Sequence, residues 1–72
     1  MDMAELVKTI RSQLGMSQEA FAVAIHVAFA TVNRWENNKS TPNSMARILI
    51  ADYCEKKGVD IGLIAAIRKD KK

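Results

Sequence analysis

Apolar side chains recur at Met3, Leu6, Val7, Ile10 and Leu14, with Lys8, Thr9, Ser12 and Gln13 between them. Steps of three and four put that set on one stripe of a helix, so a first helix is expected over 3–14. Gly15 provides a stop, and Ser17 offers its hydroxyl to the open amides of a second helix beginning at Gln18, with Glu19 in its first turn. There Ala20, Phe21, Ala24 and Ile25 share a face, and the pattern restarts at Val27, which limits this helix to two turns ending near Ile25. A third short helix, from Ala28, turns Val32 and Trp35 inward and leaves Phe29, Ala30, Asn33 and Arg34 on the other side. An aromatic ring left outside asks for an explanation.

Residues 37–43 gather asparagine, serine and threonine with the single proline, Pro42, which makes them a loop. Asn43 or Ser44 then caps a fourth helix with Ala46, Leu49, Ile50, Tyr53 and Cys54 at helical intervals, closed by Glu55, Lys56, Lys57 and Gly58. Residues 59–67 read as a fifth helix. No stretch alternates as a strand would and no repeat is visible, so the expected fold is all-α, a compact bundle of five short helices.

A chain of 72 residues accommodates one domain, here a core over 4–67 and a basic tail over 68–72. So small a core is marginal alone, which favours a partner copy. The net charge of +3 suits a polyanionic partner. The tail holds four of the eleven basic side chains, an ordinary solvated end unless something acidic lies beside it. One cysteine, Cys54, allows neither an internal disulfide nor a cysteine-based metal cluster, and points to the reducing cytoplasm. The longest apolar stretch, 20–25, is too short for a bilayer, and Asp2 and Glu5 stand where a signal peptide would be basic, so neither membrane insertion nor export is expected. His26 is the only histidine and has no cysteine or carboxylate at ligand spacing, and no nucleophile and base pair or phosphate-cradling loop is present. No catalysis, metal or cofactor is therefore expected.

Two short helices joined by a tight turn, spanning 18–35, need large apolar residues where they cross and one small residue at the crossing; Phe21, Ile25, Val27, Val32 and Trp35 supply the former and Ala22 the latter. With Leu14-Gly15-Met16-Ser17-Gln18-Glu19 opening the second helix, Thr31-Val32 in the third, and Trp35-Glu36-Asn37-Asn38-Lys39 followed by Pro42, the chain resembles the lambda-repressor-like, Cro/repressor-type (XRE) helix-turn-helix family. The resemblance runs from about Leu6 to Tyr53 and departs from the family at two places where glycine is usual. His26 fills the turn and Asn38 ends the third helix, both at positions expected to need positive φ.

The resemblance implies that the third helix lies in the major groove of double-stranded DNA, with Gln18, Ala28, Phe29, Ala30, Asn33 and Arg34 as base contacts. Arg34 can bridge guanine O6 and N7, Asn33 can pair with adenine, and Phe29 or Ala30 can touch a thymine methyl. Ser17, Thr31, Asn37, Asn38, Lys39 and Ser40 become the candidates for backbone phosphates, Lys39 foremost for salt dependence. Arg11 and Glu36 stand where relatives place a structural ion pair, with Arg11 able to add a phosphate contact. Cys54, on the apolar face of the fourth helix, is expected to be a small hydrophobe.

The function expected is a sequence-specific transcriptional regulator, a repressor, acting as a homodimer on DNA without a small-molecule effector. Ile61, Ile64, Ala65 and Ile67 of the fifth helix offer a seam. Two other readings compete with it: an antitoxin or controller protein of a two-gene module, and a protein-interaction adaptor that keeps the helical fold without binding DNA.

Overall fold

Asp2 accepts a hydrogen bond from the Glu5 amide at 2.8 Å and starts α1 (Met3–Leu14). Ser17 does the same for α2 (Gln18–Ala24), taking the Ala20 amide at 3.0 Å, and Asn43 for α4 (Ser44–Lys57), taking the Ala46 amide at 2.9 Å. The other two helices, α3 (Phe29–Glu36) and α5 (Ile61–Arg68), have no side-chain cap at Ala28 or Asp60. The computed structural model describes residues 1–69, and among them these five helices are the only regular structure.

Four helix ends close by one device. Gly15, His26, Asn38 and Gly58 each adopt the left-handed conformation, with φ of 69°, 64°, 59° and 74°. The next residue then donates its amide to a carbonyl five positions back: Met16 to Arg11 at 3.2 Å, Val27 to Ala22 at 2.9 Å, Lys39 to Arg34 at 2.9 Å and Val59 to Cys54 at 3.0 Å. This is the Schellman closure, which satisfies carbonyls that the helix end leaves open. Met16, Val27 and Val59 also pack on the core, adding the apolar contact that accompanies it.

The buried side chains form one cluster. Leu6, Val7 and Ile10 come from α1; Phe21, Ala22 and Ile25 from α2 and its end; Val32 and Trp35 from α3; Ile50, Ala51 and Cys54 from α4; Ile64 and Ile67 from α5. In the helix pairings α2 packs on α3, α1 on both α3 and α5, and α4 on α5. Ala22, the small residue expected where α2 and α3 cross, is buried. Cys54 is buried among apolar neighbours, and that burial pushes its thiol up to about 11, so it packs as a hydrophobe.

Several boundaries and faces differ from the sequence expectation. Helix α2 ends at Ala24, because Ile25 has already unwound to φ −106° and ψ 12°. Its inward stripe is Phe21, Ala22 and Ile25, which leaves Ala20 exposed. Helix α3 starts at Phe29, with Ala28 extended before it. Helix α5 covers Ile61–Arg68 instead of 59–67, since the Val59 amide is committed to closing α4. Ile64 and Ile67 point into the chain's own core, so the apolar excess expected on α5 reduces to Ile61 with Ala65 and Ala66. Arg68 is the last residue of α5 and pairs with Glu55 at 3.0 Å and Asp52 at 3.4 Å across to α4; of the basic tail, residues 70–72 lie outside the described residues. Arg47 of α4 completes that end, donating to the carbonyls of Ile67, at 3.2 Å, and Lys69.

Candidate nucleic-acid interface

Helix α3 buries Val32, Trp35 and Glu36 and turns Phe29, Ala30, Asn33, Arg34 and Asn37 to the opposite side. Positions 29, 30, 33, 34 and 37 are neighbours on one helical face. Its first half is apolar, from Ala28, Phe29 and Ala30, all exposed. Its second half is polar, from Asn33, Arg34 and Asn37.

A chain of hydrogen bonds fixes the polar half. Glu36 is 4 % exposed, and its Oε2 accepts from Arg11 Nε at 2.7 Å while its Oε1 accepts from Arg11 Nη2 at 2.9 Å. The expected ion pair is thus present in bidentate form, and Arg11 also donates to the Met16 carbonyl at 3.0 Å. Glu36 Oε1 takes a further bond from Gln18 Nε2 at 2.9 Å, Gln18 Oε1 accepts from Asn33 Nδ2 at 3.1 Å, and Asn33 Oδ1 accepts from Asn37 Nδ2 at 3.2 Å. A carboxylate only accepts, so it dictates which end of the Gln18 amide faces it, and that choice passes along to Asn33 and Asn37. Burial pushes the Glu36 carboxyl up, but the hydrogen bonds from Arg11 and Gln18, with the positive charges of Arg11 and Lys8, outweigh it and hold the group below the usual carboxylate range. The Arg11 guanidinium is raised by its bond to Glu36.

The structure therefore joins Gln18, Asn33 and Asn37 to the Arg11 and Glu36 pair, linking the start of α1's exit turn, the first residue of α2 and the length of α3. Sequence spacing supplied the ion pair through resemblance but missed this continuation, because 18 and 33 are brought together only by the crossing of α2 and α3. Asn37 lies four residues after Asn33, and that interval was the available signal.

The remaining candidates are placed as follows. Ser17 is exposed and serves as the α2 cap, Thr31 is half-buried, and Asn38, Lys39 and Ser40 are exposed beyond the end of α3. Among the described residues neither Arg34 nor Lys39 makes an ion pair or a side-chain hydrogen bond, so both cations face solvent. His26 is exposed in the turn between α2 and α3, at the positive φ expected of it. No group of residues able to hold a metal ion and no helix long and apolar enough to cross a membrane is present among the described residues.

The chain matches the family described as Helix-turn-helix over residues 7–61, well over half its length. No curated protein and no solved structure matches it. With α2 and α3 forming the two-helix unit, its turn at His26 and an exposed face on the second helix, the chain belongs to the XRE-type, lambda-repressor-like helix-turn-helix family of DNA-binding transcription regulators.

Proposed function

We propose that the protein is a sequence-specific regulator, a repressor, that inserts α3 into the major groove of double-stranded DNA as one half of a homodimer. The observation that carries this reading is the outward face of α3: Arg34 unpaired among the described residues, beside Asn33 and Gln18 amides whose orientation is set from the buried Glu36. A planar guanidinium free of internal partners suits guanine O6 and N7, and a pre-set amide suits adenine. Phe29, Ala28 and Ala30 lead the helix into the groove. Ser17, Thr31, Asn37, Asn38, Lys39 and Ser40 flank it at the phosphates, fixing the register without reading sequence.

The molecular dimensions support the dimer. The backbone spans 28 × 26 × 20 Å, and side chains extend it by several ångström on each side. Two copies one helical turn apart, about 34 Å centre to centre, would therefore fit side by side on the same face of the duplex. The protein acts in the cytoplasm, with neither catalysis nor an effector in its mechanism.

The test compares Arg34→Ala with Lys39→Ala on a selected site and a scrambled one. Arg34→Ala should cost roughly 1–3 kcal/mol on the selected site and relax preference at one base pair. Lys39→Ala should weaken both duplexes alike and lower the salt slope by about one. Identical profiles for the two variants would refute the division of roles, and salt-independent association with neither duplex favoured would point to the adaptor reading.

A further inference from the structure

The two phenylalanines of this chain have opposite fates. Phe21 is fully buried at the crossing of α2 and α3, whereas Phe29, in the first turn of α3, is 48 % exposed. On either side of it stand Ala28 and Ala30, also exposed, whose single methyl groups leave the ring as the most prominent group at the front of the helix. The polar side chains lie farther along: Arg34, without an internal partner among the described residues, and the Asn33 and Gln18 amides, held in orientation by Glu36 and Asn37. The exposed side chains of the leading half of the reading face, Ala28, Phe29 and Ala30, are thus all apolar.

The one methyl group on the base edges of the major groove is the C5-methyl of thymine, where cytosine carries only a hydrogen. Resting on the DNA-binding reading above, we infer that Phe29, flanked by Ala28 and Ala30, is a specificity-determining contact for pyrimidine C5-methyl groups. Thymine then owes its preference at that position to its methyl and not to its O4. A cytosine placed there gains affinity when it is methylated at C5, because 5-methylcytosine presents the same methyl at the same place in the groove. Binding to a site that carries cytosine at that step is therefore sensitive to its C5 methylation.

The experiment uses the full chain and a duplex obtained by selection from a random library. Thymines under α3 are replaced one at a time by deoxyuridine, which deletes only the methyl, and a C·G pair at the same step is compared with its 5-methylcytosine counterpart. Removing one buried methyl should weaken wild-type binding by about 3- to 10-fold, and methylating the cytosine should strengthen it by a similar factor. In Phe29→Ala both differences should disappear. Phe29→Leu should keep part of each difference. Selection without any enriched sequence would overturn the DNA-reading proposal and this inference together. Specific binding with equal affinity for thymine and deoxyuridine, or an undiminished difference in Phe29→Ala, would overturn this inference alone.

Discussion

His26 holds φ at 64° with its side chain exposed, so the imidazole adds little packing while its Cβ carries the strain of a left-handed backbone. That strain is about 1–2 kcal/mol for a residue with a side chain, set against the extra freedom glycine has when unfolded, worth about 0.4–1 kcal/mol. Thermal unfolding should therefore show His26→Gly neutral or slightly stabilised and His26→Val clearly destabilised, since a β-branched residue tolerates positive φ worst. A harmless valine and a costly glycine would contradict the turn geometry. The ion pair makes an asymmetric prediction. The Glu36 side chain is only 2 % exposed and that of Arg11 is 24 % exposed, so deleting Arg11 strands a buried carboxylate while deleting Glu36 leaves a cation that water reaches. Arg11→Ala should cost about 3 kcal/mol and Glu36→Gln about 1 kcal/mol. Because Glu36 is held below its ordinary range when folded, its contribution is complete above the unfolded value of about 4.3 and is lost as pH falls through the lower folded value. The gap between wild type and Glu36→Gln in unfolding midpoint should accordingly be full at pH 7 and shrink below pH about 4.3; a gap constant down to strong acid would exclude this origin.

Among the helices, α3 is the one whose start conflicts with its use. Ser17 and Asn43 cap α2 and α4, but Ala28 leaves the first amides of α3 without a side-chain partner. Ala28→Ser should raise stability by about 1 kcal/mol, and Ala28→Asp should do at least as well on stability while weakening DNA binding through repulsion from phosphates. Equal DNA affinity for serine and aspartate at this position would mean that the start of α3 does not face DNA. The helices themselves were legible from apolar spacing and from Gly15, Ser17, Asn43 and Gly58, because caps and stripes are local properties. Positive φ at His26 and Asn38 was legible too, but only through resemblance, since neither residue demands that backbone on its own. What tertiary contact settles is not legible in the sequence: apolar spacing places Val59 in α5 although it closes α4, and makes Ile64 and Ile67 spare surface although they are buried in the core, and nothing in it points to the bond from Gln18 to Glu36. Periodicity says which residues share a face and is silent on what that face meets.

At the scale of the whole molecule, a small core, a net charge of +3 and one outward helix face whose Arg34 has no partner among the described residues act together. On the proposed reading the charge draws the protein to any duplex and the fold presents α3, while the network from Arg11 to Asn37 holds those side chains in place, which would lower the entropic cost of ordering them on DNA. On that reading general affinity and sequence preference come from different parts of the molecule, which an experiment can separate. The central claim is that α3 reads base edges in the major groove through Arg34. Its most direct test replaces each guanine of a selected site by 7-deazaguanine, which removes the N7 acceptor from the major groove and leaves Watson–Crick pairing intact, and measures affinity for wild type and Arg34→Ala. One guanine per half-site should lose about 10-fold or more for wild type and nothing further for Arg34→Ala, with the two half-sites related by twofold symmetry one helical turn apart. Equal losses in both proteins, or no loss at any guanine, would contradict the account.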